Sequence, residues 1–412
     1  MLDITFIREN PDIVRAAIKN KNREGIDLDR ILELADQRKK YATEISEINR
    51  KRGEAQAARD IEGGKRLKEE LKEAEENYAN LEKELVSLLI KIPNIPSADT
   101  PIGPDESGNK VVRQWGEKPN FSFVPKAHWD LGKELGVIDS EKAAEISGAR
   151  FTFLKGDLAL LQFALVQWVL QTLSKKGFTP VVPPVFVKKN VQIRMARFLT
   201  PEEHYLFPDD DSMLIGSAEH TMGPLHMDEI IPEEKLPIRY VGYSTAFRRE
   251  AGSYGKDTKG ILRQHQFDKI EMESFTKPED GISEQELLVG VQEELLQGLG
   301  LPYQVVLICT GDMGFPDQRQ IDIETWMPGQ GTYRETHSAD YVGGFQARRL
   351  NTRIKRADGT LEHVHMNDAT AFAVGRTLIA IMENYQNEDG TITIPEVLRP
   401  YMGGKEKIEK LS

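Results

Sequence analysis

The sequence predicts an α+β protein in which an N-terminal antiparallel two-helix coiled coil precedes a mixed, mainly antiparallel sheet flanked by helices. Three observations predict this. A heptad-spaced apolar seam runs twice between Ile31 and Ile92, a proline- and glycine-rich break follows it, and apolar β-branched runs then succeed one another with short joins. At 412 residues the chain is also long enough for two cores.

Met1 to about Asn22 reads as a short helical segment, with Val14, Ala17 and Ile18 on one face after Asn10-Pro11. Ile31, Leu34, Tyr41, Ile45 and Ile48 then keep three- and four-residue steps, with Arg38 at the intervening core-type position. Leu67, Leu71, Ala74, Tyr78, Leu81, Leu85, Leu88 and Ile92 alternate steps of four and three without a break. The Gly63-Gly64 pair between the two seams is expected to reverse the chain into a hairpin. Helices of roughly 30 residues would make an arm reaching roughly 45 Å.

Around the tip, Arg50, Lys51, Arg52, Arg59, Lys65, Arg66 and Lys68 outnumber Glu54, Asp60 and Glu62. Taken alone, such an arm reads as a solvated face or a dimerisation stalk. Pro93, Pro96, Pro101 and Pro104 form a breaker-rich linker, so the expected domains are 1–105 and 106–412. Beyond the linker, Asp157–Leu173 and Ala369–Tyr385 read as apolar helices. Phe178–Val187, Arg239–Phe247, Phe267–Phe275, Tyr303–Thr310 and Gln320–Trp326 read as strands.

A hydrophobic content of 39% with 29% charged residues fits a globular chain, and no stretch approaches the ~18 apolar residues of a membrane span. The start lacks a signal-peptide pattern, so no membrane association and a cytoplasmic location are expected. A lone cysteine, Cys309, excludes an intramolecular disulfide and a thiolate-rich zinc site. The net charge of −12 argues against a nucleic-acid partner only until the local basic tip is considered.

Two look-alikes fall away. Gly252 and Gly255 are too close together for a phosphate-binding P-loop, and His363-Val364-His365 lacks a third metal ligand. The informative stretch runs from Phe247-Arg248-Arg249-Glu250 to Gln266-Phe267-Asp268-Lys269-Ile270-Glu271. It reads strand, polar loop, strand, with a guanidinium suited to an α-phosphate, an aromatic face for a base and a carboxylate for a polar substrate group.

FRREAGSYGKDTKGILRQHQFDKIE resembles motif 2 of the seryl-tRNA synthetases. GFTPVVPPVFV is similar to motif 1, with Pro184 in the strand that helps form the family's dimer interface, and AFAVGRTLIAIMENYQ is similar to motif 3. The resemblance spans essentially the whole chain and implies a class II catalytic domain. The implied reaction joins L-serine and ATP into seryl-adenylate and diphosphate, then passes serine to the 3' end of tRNA(Ser), extending to tRNA(Sec). ATP enters as substrate, Mg2+ is the metal and no zinc is involved.

By the same resemblance Arg248 clamps the α-phosphate, Arg376 holds the γ-phosphate, and these two are the catalytic pair. Arg263 assists on the diphosphate side, Phe267 stacks on adenine, and Arg249, Glu250, Thr336 and His337 complete the ATP site. Glu335 and Ser338 bind Mg2+. Serine is held by Ser217, Ala218, Glu219, Arg248, Glu271 and Thr370. Glu219 suits the α-ammonium, while Glu271 and Thr370 suit the hydroxyl. For tRNA, Arg50, Lys51, Arg52, Arg59, Lys65 and Arg66 serve on the arm, and Lys256 and Lys259 face the acceptor end. A homodimer is expected.

The chain departs from the family pattern at several places. Ser217 replaces the first residue of Thr-Ala-Glu, and His337 replaces the first serine of Glu-x-Ser-Ser. Asp368-Ala369-Thr370 replaces Asn-Gly-Ser, and QIRMARFLT occupies the usual glycine-rich stretch at 192–200. A threonine or proline ligase is disfavoured because only 26 residues follow Gln386, too few for an appended anticodon-binding domain. A relative charging a carrier protein is disfavoured by the arm. A decayed scaffold is disfavoured by the joint presence of Arg248, Glu250, Phe267, Glu335, Ser338 and Arg376.

Overall fold

The structure, a computed structural model, describes residues 1–198, 200–251 and 259–411. The chain separates into two compact units, Met1–Ile95 and Pro96–Ser412.

In the first unit, α1 (Ile4–Glu9) and α2 (Pro11–Asn20) precede α3 (Leu28–Ala57) and α4 (Ile61–Leu89). Pro11 breaks the opening segment in two, since it has no amide to continue α1 and fits the first turn of α2. Ile31, Leu34 and Ile48 of α3 and Leu67, Leu71, Ala74, Leu81 and Leu85 of α4 are buried, as the seam requires. Near the end of α4 the step lands on Leu89, 4% exposed, rather than on the expected Leu88.

The chain reverses one turn earlier than the glycine pair. Arg59 takes a left-handed φ of 57°, and Asp60 caps α4 by accepting the Gly63 amide at 2.9 Å. Gly63 and Gly64 therefore lie inside the first turn of α4, where a Cβ on Gly63 would collide with the capping carboxylate.

In the second unit the proline-rich stretch is bonded in place: the Ser97 amide donates to Gln318 O at 2.7 Å, and Thr310 and Gly311 donate to Pro101 and Gly103. Eight strands form the main sheet. They are β1 (Lys110–Trp115), β2 (Thr179–Val181), β3 (Ile238–Phe247), β4 (Gln266–Thr276), β5 (Tyr303–Leu307), β6 (Arg319–Met327), β7 (Thr332–Gly343) and β8 (His365–Ala373). Their order is β1-β5-β6-β7-β8-β4-β3-β2, and every neighbouring pair is antiparallel except β2 with β3.

Packed on one face are α5 (Gly156–Lys175), α6 (Gly281–Gly298) and α7 (Val374–Asn384). Among the described residues α5 is long and apolar enough to cross a membrane. Leu158, Leu161, Leu165, Val169 and Leu173 put one of its faces in the core, and Leu160 and Phe163 are exposed.

Two expectations change here. Phe178–Val187 is not one strand, because Pro183-Pro184 interrupts it after Val181. The apolar run from Ala369 to Tyr385 divides at Ala373 into the end of β8 and α7. Strand β8 lies centrally and is buried on both faces, so its apolar run lacks the alternation that marks a half-buried strand.

Candidate active site

A cleft opens on the sheet face opposite the helices, where β4, β7 and β8 present alternate side chains. Along β4, Phe267, Lys269 and Glu271 face it, while Ile270 and Met272 enter the core. Thr370 of β8 lies opposite Glu271 across a bulge, and Ser338 and Asp340 point in from β7. Arg248 and Glu250 follow β3, and Arg376 projects from the first turn of α7.

Two ends of the cleft differ in chemistry. At one end Arg263 pairs with Glu250 at 2.6 Å and Arg376 with Glu335 at 3.1 Å. Burial opposes a charge on Glu250, yet Arg263, Arg248 and Arg376 hold its carboxyl below the usual range. Glu250 has a φ of 52°, an uncommon conformation for a non-glycine residue, where the chain leaves β3. Arg248 Nε donates to Gly216 O at 3.1 Å, and its guanidinium lies 5.3 Å from the Phe267 ring centroid. This end is cationic and carries an aromatic face.

At the other end carboxylates dominate. Glu219 opens the one-turn helix Glu219–Met222 and is buried, with Lys269, His220, Arg197 and Arg248 holding it down at about 2 against the cost of burial. Lys269 reaches Glu271 at 2.7 Å and donates to Ser217 Oγ at 3.0 Å. Burial pushes Glu271 up to about 8, and Lys269 offsets this only in part. Arg197 lies 3.2 Å from Asp368, whose carboxyl burial raises to about 7.

The structure brings Glu219, Arg248, Glu250, Arg263, Phe267, Glu271, Glu335, Thr336, Ser338, Thr370 and Arg376 to the one cleft. Some sequence-based site residues lie elsewhere. His337 sits on the opposite face, because it is one residue out of phase with Ser338 along the strand. Its ring packs edge-on against Phe372 at 5.3 Å and its Nδ1 is 2.8 Å from Thr336 Oγ1. It is therefore a core residue, kept neutral by burial, which lowers it to about 3.

Ser217 and Ala218 are fully buried and do not line the cleft. Ala218 packs where Gly242 lacks a Cβ. Arg249 is exposed, its amide donating to Glu203 O. Lys259 lies with its ammonium 6.0 Å from the Trp129 ring, and Lys256 falls outside the described residues. On the arm, Arg50, Lys65 and Arg66 each pair with a carboxylate on their own helix, and Lys51 and Arg59 are exposed. Arg52 donates to Asn49 at 3.4 Å.

Sequence reasoning missed Arg197, Lys269 and Gln292. Arg197 and Asp368 are two departures that answer each other in space, and that complementarity was the available signal. Gln292 of α6 donates to Ser338 O at 2.9 Å and to Thr370 O at 2.8 Å from behind the sheet. Nothing in its helix distinguishes it.

Glu335 and Ser338 offer oxygen donors on one face of β7, a set of the kind a hard divalent cation takes. Among the described residues no group of three or more His, Cys, Asp or Glu is disposed to hold a metal by protein ligands alone. Two oxygen donors suit an ion that completes its shell from phosphate and water.

The family described as tRNA synthetase class II core domain (G, H, P, S and T) matches residues 205–385, and the seryl-tRNA synthetase N-terminal domain matches residues 1–96. A serine–tRNA ligase of Coprothermobacter proteolyticus is 43% identical across 98% of this chain and 100% of its own. One from Symbiobacterium thermophilum is 44% identical across 97% and 98%. The structure of seryl-tRNA synthetase from Pyrococcus horikoshii complexed with ATP superposes with a TM-score of 0.94 at 37% identity, covering 100% of both chains. Cytoplasmic serine–tRNA ligase from Naegleria fowleri in complex with AMP gives 0.91 at 32%, covering 100% and 99%.

Proposed function

The chain belongs to the seryl-tRNA synthetase family of ligases, and from that premise we propose how its own residues divide the reaction. The observation that carries the reading is the two-ended cleft, cationic and aromatic around Arg248, Phe267 and Arg376, anionic around Glu219 and Glu271.

ATP lies along the cationic end, with adenine on Phe267, the α-phosphate on Arg248 and the γ-phosphate on Arg376. Arg263 assists the departing diphosphate, and Glu250 orients Arg263 through their ion pair. Serine enters the anionic end. Glu219 receives its α-ammonium, while Glu271 and the Thr370 hydroxyl bond the side-chain hydroxyl. A site built this way rejects alanine by leaving buried polar groups unpaired.

The serine carboxylate then attacks the α-phosphorus, the bond to the bridging oxygen breaks and diphosphate leaves. No general base is needed, because the nucleophile is already ionised near neutral pH. Arg248 and Arg376 act by preorganised charge, and losing either one should cost about 3–4 kcal/mol of transition-state stabilisation. Mg2+, held by Glu335 and Ser338, would supply further positive charge against the triphosphate.

Transfer to the 3' end of tRNA(Ser), and of tRNA(Sec), follows at the same cleft. The 1–105 segment serves as the tRNA-binding domain, its basic tip contacting the tRNA backbone, and residues 106–412 as the catalytic domain. Lys256 and Lys259 lie in the segment that would meet the acceptor end. Leu160 and Phe163 on α5 and Val182 and Phe186 in the motif 1 region are large apolar side chains left exposed, and a homodimer through that region would cover them. The enzyme works in the cytoplasm.

Serine-dependent exchange of pyrophosphate into ATP tests the reading. Exchange with serine and not with alanine or threonine is expected. No exchange with serine overturns it.

A further inference from the structure

The acidic end holds more buried carboxyl groups than serine can use. Serine brings one ammonium, for which Glu219 suffices, and one hydroxyl, for which Glu271 and Thr370 suffice. Yet Glu273 and Asp368 stand behind them, 1% and 4% exposed. Lys269 is committed to Glu271 at 2.7 Å and Arg197 to Asp368 at 3.2 Å. Among the described residues Glu273 has no hydrogen-bond partner on either carboxylate oxygen.

Its placement makes this informative. By strand alternation Glu273 shares the cleft-facing side of β4 with Lys269 and Glu271, one pleat deeper, and its register partner on β8 is Asp368. Burial pushes its carboxyl well above the usual range, and Asp368, Glu219 and Glu271 add to this while Arg197 opposes. A carboxyl group raised in this way keeps its proton in the empty site and ionises when a cation is brought beside it.

Resting on the seryl reading, we propose that this end accepts, besides serine, a serine isostere carrying an ammonium in place of the β-hydroxyl, with Glu271, Glu273 and Asp368 receiving the second positive charge. 2,3-Diaminopropionate is that isostere. Its β-nitrogen occupies the place of the serine oxygen beside Glu271 and Thr370, and Glu273 and Asp368 balance it from behind. Activation is unchanged in its atoms: the α-carboxylate attacks the α-phosphorus of ATP, aminoacyl-adenylate forms and diphosphate leaves.

The full chain is assayed for pyrophosphate exchange with L-serine and with L-2,3-diaminopropionate, and the two kcat/KM values are compared. Exchange with both is expected. In Glu273→Gln the ratio of diaminopropionate to serine should fall about 10- to 100-fold, the effect of losing a hydrogen bond or ion pair to a charged group. Asp368→Asn, which restores the family's amide, should lower the ratio in the same sense and serves where Glu273→Gln does not fold. Exchange with serine alone overturns this proposal and leaves the seryl reading intact. Exchange with neither overturns the seryl reading itself. A ratio unmoved in both variants overturns the role of the extra carboxylates.

Discussion

Lys269 places its ammonium 2.7 Å from Glu271 Oε2 and 3.9 Å from Glu219 Oε2, so one cation serves both carboxylates expected to hold serine. All three side chains are largely withdrawn from water. Removing the cation leaves the buried Glu219 carboxylate without the largest of the charges that hold it ionised. Lys269→Met should destabilise the protein by about 3–5 kcal/mol, the typical cost of breaking a buried pair from one side. Thermal denaturation measures that loss. Serine KM should also rise more than ATP KM, and equal changes in both would count against the assigned position.

The same cluster sets a pH dependence. Glu271 at about 8 and Asp368 at about 7 retain protons in the fold that the unfolded chain has already lost, so stability falls as pH rises toward 8. His220 and His337, held near 3, work the other way, but only below their ordinary value of 6.5. Glu219, held at about 2, matters only in acid. Between pH 6.5 and 8 the raised carboxylates therefore act alone among these groups. The melting temperature should drop across that window, and Glu271→Gln should flatten the slope. Parallel slopes for both proteins would show that Glu271 does not titrate there.

Much of this was legible in the residues, and what was not has physical causes. The arm was readable because a heptad seam repeats one contact many times. Its turn was misread because Asp60 caps the helix with Gly63 inside it, so the glycine marks a cap contact rather than the reversal. Strand β7 was recognised as a motif and not as a strand. A bulge at Thr336 breaks its alternation, and polar side chains face the cleft where apolar ones would have marked a sheet. Arg197 escaped notice because its partners, Asp368 and Glu219, are distant in sequence.

His337 tests the face assignment directly. Its ring fills space against Phe372 on the core side of β7, and it reaches the cleft only through its Nδ1 contact with Thr336 Oγ1. His337→Ser, which restores the family's usual residue, should leave ATP KM within about twofold. Emptying a core position typically costs about 2–4 kcal/mol, which calorimetry would register. A large rise in ATP KM without loss of stability would return His337 to the nucleotide site.

The arm predicts a separation of the two half-reactions. Lys51, Arg59, Lys65 and Arg66 changed together to Gln would remove four positive charges near the turn between α3 and α4, where the side chains are too exposed to support the helices. tRNA affinity should weaken, and the slope of log affinity against log salt should lessen by about 3, each phosphate contact contributing slightly under one. Serine-dependent pyrophosphate exchange, which needs no tRNA, should persist. An unchanged salt slope would place the tRNA contacts elsewhere.

Gln292 offers the last test, because it acts on the cleft without lining it. Its amide nitrogen donates to the carbonyls of Ser338 on β7 and Thr370 on β8 from the helix side of the sheet. The carbonyl of Thr370 lies beside the bulge that interrupts the β8 pairing with β4, so the helix braces the sheet where its ladder is irregular. Gln292→Leu keeps the volume and removes the donor, taking one hydrogen bond from each of the two carbonyls at about 0.5–1.5 kcal/mol each. The side chains of Ser338 and Thr370 face opposite ends of the cleft, so a loosened backbone should raise KM for both ATP and serine. Gln292→Glu, which cannot donate when ionised, should behave like Leu. If activity falls with both KM values unchanged, Gln292 is not positioning these strands for substrate.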